Sequence, residues 1–172
     1  MFGYNLQIEH TPLIREVVKL TGCNTYLELG ISTGENIHAM TPFCNNCIGV
    51  DIIDIRKHRD FLFYQMSTTE FFKQYKGGAD IIFIDANHGF EAVKIDFINS
   101  LSILNEFGVI FIHDTDPIKE HYLKPELCND SYKIIDWLMA MTLGHINILT
   151  LPVSVAGLTM VTRANDRRVY KI

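Results

Sequence analysis

The 172-residue sequence lacks any apolar run near the roughly 20 residues that a membrane-spanning helix requires. It also lacks a basic excess, because 15 Lys and Arg stand against 20 Asp and Glu, a net charge of −5. An acidic chain binds phosphate backbones poorly, so we expect neither a membrane nor a nucleic acid as partner. The first residues, Met1 to Asn5, show no secretory signal, and this predicts a cytoplasmic protein.

Repeats, low-complexity tracts and linkers are missing as well, which predicts one domain over residues 1–172. Hydrophobic residues make up 48% of the chain and charged residues 20%, and this globular composition excludes a disordered or fibrous protein. Cysteine is scarce, with four residues. Cys44 and Cys47 have C-x-x-C spacing, but no second close pair of Cys or His ligands accompanies them. We therefore interpret them as ordinary loop thiols.

Short apolar runs alternate with helical segments along the chain. Strands are predicted at residues 25–29, 47–52, 61–66, 80–85, 109–113, 146–151 and 158–162, and helices at 11–21, 35–40, 68–75, 89–105 and 131–143. Unbroken apolar runs are typical of parallel strands that helices cover on both faces. Only residues 152–157 join the last two strands, too few for a crossover helix, so this pair should be antiparallel. The pattern predicts a doubly wound α/β sheet with an antiparallel strand near one edge.

A glycine turn follows the first strand, in the segment Glu28-Leu-Gly30-Ile-Ser32-Thr-Gly34. In doubly wound sheets the ligand lies over the carboxyl ends of the strands. Glycines there let the backbone approach a ligand and expose amides at the start of a helix. Asp51 ends the second strand, 21 residues after Gly30, where a carboxylate can accept hydrogen bonds from a ribose.

Four interpretations of this turn are open. A nicotinamide dinucleotide prefers G-x-G-x-x-G, but Ser32 replaces the second glycine and Glu28 would repel a pyrophosphate. Gly30 to Gly34 also match the G-x-S-x-G nucleophile elbow of hydrolases, although too little chain precedes them to build the flanking strands. A turn without any ligand is the third interpretation. S-adenosylmethionine is favoured, because Glu28 suits its ammonium group and Asp51 its ribose.

The segment Glu28 to Gly34, followed by Asp51, resembles the binding motif of class I S-adenosylmethionine-dependent methyltransferases. The segment from Asp80 to Asp96 resembles "IDG-x-H-x-Y-x-x-V-x-x-D" of a small-molecule subgroup, and residues 104–114 resemble its "L-x-x-G-G-x-x-x-x-H-D". This subgroup includes macrolide sugar O-methyltransferases and cephalosporin-hydroxylase-like proteins. Ala86 and Phe107 replace two of its usual glycines, and the likeness extends over residues 25–162.

The resemblance implies a seven-stranded sheet of order 3-2-1-4-5-7-6 with strand 7 antiparallel. In that order strands four and five are neighbours, so Asp85, His88, His113 and Asp114 should converge. Two adjacent carboxylates repel each other unless a positive group lies between them, and a divalent cation such as Mg²⁺ meets that need. The resemblance implies that Asp85, His113 and Asp114 hold it. Asp85, His88 or His113 would accept the proton of the substrate hydroxyl, and the sequence does not choose among them.

The remaining predictions concern the cofactor site, the longest loop and the histidines outside the motifs. The cofactor-binding residues would be Glu28, Gly30, Ser32, Gly34, Asp51 and Ser67, with Ser67 near the adenine. Residues 115–130 form the longest loop and are predicted to cover the substrate. The histidines outside the motifs (His10, His38, His58, His121 and His145) are interpreted as surface or capping residues. The predicted function is O-methylation of a small hydroxylated molecule such as a sugar, in a protein that can form a homo-oligomer. The alternatives are a non-catalytic cofactor-binding subunit and another metal-assisted enzyme.

Overall fold

Seven strands form one mixed sheet in the order β3-β2-β1-β4-β5-β7-β6. The computed structural model describes residues 9–54, 60–141 and 145–164. The strands are β1 Thr25–Leu29, β2 Asn46–Asp51, β3 Leu62–Gln65, β4 Ala79–Ile84, β5 Leu104–His113, β6 Ile146–Leu151 and β7 Leu158–Arg163. Strand β7 runs antiparallel to β5 and β6, while β1 to β5 pair in parallel. This arrangement confirms the predicted fold class.

Within the described residues, five α-helices cover the two faces of the sheet. They are α1 His10–Thr21, α2 Glu35–Met40, α3 Thr68–Gln74, α4 Phe90–Ile103 and α5 Ile134–Met141. Apolar side chains of α1 and α2 pack on one face, and those of α3, α4 and α5 pack on the other. Among the helices of the described segments, none has the length and apolar character needed to cross a membrane.

Two elements differ from the sequence prediction. Strand β5 begins at Leu104 rather than at residue 109, because Leu104 already pairs with Ala79 before the register shifts. The last helix was expected from residue 131, but a 3₁₀ turn occupies Ser131–Lys133 and α5 begins only at Ile134. The Ser131 hydroxyl donates to the carbonyl groups of Asp114 and Cys128, which fixes this turn against the end of β5. Residues 142 and 143 of the predicted helix, like His58, lie outside the described residues.

Candidate functional site

A cavity of about 1020 Å³ lies along the carboxyl ends of β1, β2, β4 and β5. Eight of the ten predicted site residues line it: Gly30, Ser32, Asp51, Ser67, Asp85, His88, His113 and Asp114. Glu28 and Gly34 are absent from the lining. Most of these residues are far apart in sequence, and they meet because parallel strands end at the same edge of the sheet. The volume is near the upper limit of the roughly 300–1,000 Å³ of ligand pockets, which leaves room for two ligands.

The glycine turn brings the ends of β1 and β4 into close contact. Gly30 has a φ of +81°, and a Cβ atom there would lie 2.2 Å from the carbonyl oxygen of Asp85. Ser32 also adopts the left-handed region, with φ of 44°, which is a costly conformation for a residue with a side chain. The turn therefore excludes a side chain at its first position.

The side chain of Asp51 forms hydrogen bonds with the backbone of this turn. Its Oδ2 accepts hydrogen bonds from the amides of Ile31 and Ser32, at 2.9 and 3.0 Å, and its Oδ1 accepts one from the amide of Ile53, at 2.9 Å. Each carboxylate oxygen can accept two hydrogen bonds, so Oδ1 keeps room for one more donor. Asp51 can thus position the turn and bind a ligand hydroxyl at the same time.

The expectation that Glu28 binds an ammonium group requires correction, because its carboxyl group lies beneath the turn and only 2% of the residue is exposed. The Tyr26 hydroxyl and the Asn36 amide both donate to its Oε2, at 2.7 and 2.6 Å. Burial raises the pKa of Glu28 to about 8, so at neutral pH the group is largely uncharged. The structure therefore does not place a negative charge of Glu28 in the cavity.

Ser67 lines the cavity, but its hydroxyl group is already engaged in the structure. It is the N-cap of α3, accepts a hydrogen bond from the Glu70 amide and donates to the Glu70 carboxylate at 2.7 Å. This reciprocal capping box stabilises the start of the helix. Ser67 can therefore contact a ligand mainly through its backbone and its Cβ atom.

Asp85, His88, His113 and Asp114 lie together at the ends of β4 and β5. Nδ1 of His113 lies 3.0 Å from Oδ1 of Asp85 and 3.3 Å from Oδ1 of Asp114. Nδ1 of His88 lies 2.9 Å from Oδ2 of Asp114, and its Nε2 lies 3.5 Å from Oδ1 of Asp85. Each imidazole therefore contacts both carboxylates, which is the closely packed arrangement that the strand order implied.

These contacts shift the pKa values of the cluster in opposite directions. Burial raises the pKa of Asp85, but hydrogen bonds from His113 and His88 outweigh it and lower the pKa overall. The hydrogen bond to Asp114 raises the pKa of His88 to about 11. Burial lowers the pKa of His113, yet its bond to Asp85 reverses this and raises it. The His88 imidazolium thus supplies positive charge between the carboxylates, and the same contacts favour the protonated form of His113.

The donor set also fits a divalent cation. Asp85, His113 and Asp114 each offer one ligand atom, and these atoms all lie within 4.8 Å of one another. Two carboxylate oxygens and one imidazole nitrogen suit a transition ion such as Mn²⁺ better than Mg²⁺, which prefers oxygen ligands alone. Binding would displace protons from the imidazole, because only its neutral form is a ligand.

Two further residues contact this cluster: Cys128, which had no predicted role, and His10, whose interpretation as a surface or capping residue is wrong because its Nδ1 is buried beside the cluster. The ring of His10, the first residue of α1, lies 4.5 Å from that of His113, centroid to centroid. The Cys128 thiol donates to Oδ1 of Asp114 at 3.3 Å. No periodicity or spacing links His10 to a strand end 103 positions later, so the sequence held no indication of this contact. Cys128 belongs to the long loop predicted to cover the substrate, and residues 122 and 125–128 of that loop do line the cavity.

A family model described as "Methyltransferase domain" matches residues 27–115, just over half of the chain. The structure is similar to the methyltransferase PaMTH1 from Podospora anserina bound to SAH, with 16% identity, a TM-score of 0.70, and coverage of 90% of this chain and 78% of that one.

Two further solved structures are similar at low identity. One is an O-methyltransferase from Bacillus cereus in complex with SAH (13% identity, TM-score 0.66, coverage 90% and 80%). The other is an rRNA methylase from Streptococcus thermophilus (6% identity, TM-score 0.70, coverage 89% and 95%). At these identities the likeness concerns the fold alone. No curated protein sequence matches the chain.

Proposed function

Because this chain belongs to the methyltransferase domain family, we propose that it transfers a methyl group from S-adenosylmethionine to a hydroxyl group of a small molecule. One observation carries the proposal: a single cavity joins the glycine turn and Asp51 to the cluster of Asp85, His88, His113 and Asp114. A cofactor on the turn and an acceptor on the cluster would therefore share one cavity. Two similar structures, at low identity, contain SAH, the product of such a transfer.

The cofactor end of the cavity is built to bind a ribose. The free capacity of Asp51 Oδ1 suits a ribose hydroxyl, while Gly30 lets the ligand approach the backbone. With Glu28 buried, the ammonium group of the cofactor needs another acceptor, which the backbone carbonyl groups of the turn can supply.

His88 is the best placed of the three candidate bases. Its Nδ1 contacts two acceptors, the Asp114 carboxylate and the carbonyl oxygen of Leu127, so Nδ1 carries a hydrogen in either charge state. Because its pKa is raised to about 11, His88 must first lose a proton to act as a base, and the neutral ring would then hold its lone pair at Nε2. Its side chain is also twice as exposed as that of His113, 30% against 15%. Asp114 would orient His88, as a carboxylate orients the histidine of a hydrolase.

A divalent cation held by Asp85, His113 and Asp114 extends this proposal. When bound, it would supply positive charge that lowers the pKa of a coordinated hydroxyl group and of the neighbouring His88. The carboxylates of Asp85, Asp114 and Glu126 in the cavity wall also favour a neutral or metal-chelating acceptor over a phosphate-rich one. Such an acceptor is a sugar, a catechol or another polyhydroxylated small molecule.

Calorimetric titration with S-adenosylhomocysteine (SAH) tests the cofactor assignment. We expect a dissociation constant in the micromolar range, about −8 kcal/mol. Asp51→Asn keeps one oxygen for the turn amides but removes the charge, and should weaken binding by roughly tenfold or more. Asp136→Asn, the same change at an exposed position of α5, should leave binding unchanged. No binding by the wild type, or equal binding by Asp51→Asn, would contradict the assignment.

Methyl transfer itself can be measured with methyl-labelled S-adenosylmethionine and a panel of sugars and catechols. Transfer to at least one of these acceptors is expected, with loss of most activity in His88→Gln. Chelation with EDTA should abolish it, and added Mn²⁺ should restore it in the wild type but not in Asp85→Asn. Full activity in chelator would contradict the metal assignment, whereas SAH binding without transfer to any acceptor would favour a non-catalytic subunit.

A further inference from the structure

Asp96 is a buried carboxylate in the wall of the cavity, about two helical turns into α4. Only 2% of the residue is exposed, yet it lines the cavity beside Ala92 and Ile95. The first residues of α3, Thr68 and Thr69, form the neighbouring part of the wall. Around it the two helices contribute apolar residues to the core, so a carboxylate at this position is an exception in its surroundings.

The charge of Asp96 has little compensation within the protein. No ion pair to it is found in segments 9–54, 60–141 and 145–164, and its hydrogen-bond partner there is the Thr68 hydroxyl. Burial raises the pKa of Asp96 to about 6, although the bond from Thr68 lowers it. A buried carboxylate costs stability unless donors satisfy its oxygens. One hydroxyl leaves most of its acceptor capacity open, and a ligand in the cavity can supply the missing donor.

The order of the strands indicates which part of the cofactor lies near Asp96. The acid and histidine cluster is at the ends of β4 and β5, the ribose carboxylate Asp51 is at the end of β2, and α3 begins just after β3. Neighbouring strands are about 4.8 Å apart, so these positions follow one another across the sheet. With the methyl group at the cluster and the ribose at Asp51, the base of the nucleoside extends towards β3 and α3.

We propose that Asp96 accepts a hydrogen bond from the exocyclic amino group of the adenine ring and so selects an adenosyl cofactor. This inference rests on the proposed function. An ionised carboxylate only accepts hydrogen bonds, and the adenine amino group only donates them. Ile52, Met66 and Ile95 line the same cavity and offer apolar surface for the flat faces of the ring. The Ser67 hydroxyl is less suited to this role, because it already donates to the Glu70 carboxylate and accepts from the Glu70 amide, which leaves it one lone pair and no charge.

The test compares two ligands that differ at the 6-position of the base and at the adjacent N1, which carries a hydrogen only in the inosyl ligand. SAH carries an amino group at the 6-position, whereas S-inosylhomocysteine carries an oxygen there, which an ionised carboxylate repels. Calorimetry on the wild type should show at least about tenfold tighter binding of SAH. Asp96→Asn can donate to that oxygen and should reduce this ratio by about fivefold or more. Asp136→Asn, the matched exposed control, should keep the wild-type ratio.

The possible outcomes separate this inference from the proposed function. If the wild type binds neither ligand, both fail. If it binds SAH but does not distinguish S-inosylhomocysteine, or if the ratio in Asp96→Asn falls by less than fivefold, only the role of Asp96 is refuted. A purely structural role would lower the melting temperature and leave the ratio unchanged. Asp96→Ser gives a second measurement of the ratio if the asparagine variant does not fold.

Discussion

Replacement of Glu28 by Gln should stabilise the protein at neutral pH. The buried carboxyl group has a pKa raised from 4.5 to about 8, mainly by burial. Between these two values the folded state keeps a proton that the unfolded state has released. Stability therefore falls as the pH rises from 4.5 towards 8, and the fall ends above the pKa of the folded state. Glutamine cannot ionise, and its single oxygen can still accept from both Tyr26 and Asn36.

The size of the effect follows from the length of this pH interval. Each pH unit between the two pKa values is worth about 1.4 kcal/mol. Between pH 5 and pH 7.5 the wild type should lose about 3 kcal/mol of unfolding free energy relative to Glu28→Gln. Asp96 and His88 also have raised pKa values and add to the pH dependence of both proteins, so the difference between them isolates Glu28.

Urea denaturation of the two proteins, followed by circular dichroism at both pH values, measures this difference. The two unfolding free energies should be similar at pH 5 and should separate as the pH rises. If the two pH profiles run parallel within about 1 kcal/mol, Glu28 is ionised in the folded state and the argument fails. Glu28 would then be a charged group beneath the turn, and its exclusion from cofactor binding would need revision.

Three further predictions concern the turn, the metal and the cysteines. Gly30→Ala should lower the unfolding free energy by more than about 2 kcal/mol, because the new Cβ would clash with Asp85. Gly22 has a similar positive φ but open space around it, so Gly22→Ala should lower the unfolding free energy by only about 1 kcal/mol, and equal losses would contradict the close contact at Gly30. Mn²⁺ should bind the wild type and attenuate the electron paramagnetic resonance signal of the free ion, and equal attenuation by Asp85→Asn would exclude this ligand. Hydrogen bonds from the thiols of Cys23 and Cys47 lower the pKa of Cys44, whereas burial raises the pKa of Cys128 to about 12. Iodoacetamide at pH 6 should therefore alkylate Cys44 before Cys128, and the reverse order in peptide mass spectrometry would refute this.

The sequence alone determined the fold and the edge of the sheet that carries the cavity. Unbroken apolar runs such as Ile81 to Ile84 mark buried parallel strands, and the short connection at residues 152–157 requires an antiparallel last pair. Both features are local. Given the strand order, the polar residues that end β4 and β5 had to be neighbours. The extent of β5 was less predictable, because its first residue, Leu104, pairs with Ala79 across a register shift that the sequence does not indicate.

The tertiary structure decided what each acidic residue does. Glu28 and Asp51 both stand near strand ends, but Glu28 shares the face of Tyr26, since alternate residues of a strand point the same way, and α2 covers that face. The contact between Cys23 and Cys44 is also a result of tertiary structure. The two residues lie side by side because β1 and β2 are neighbours, and the C-x-x-C spacing alone could not indicate this. His10 reaches His113, and Asp96 reaches Thr68, by contacts between elements distant in the chain. Burial and hydrogen bonding set the charge of such groups, and both depend on neighbours that folding brings together.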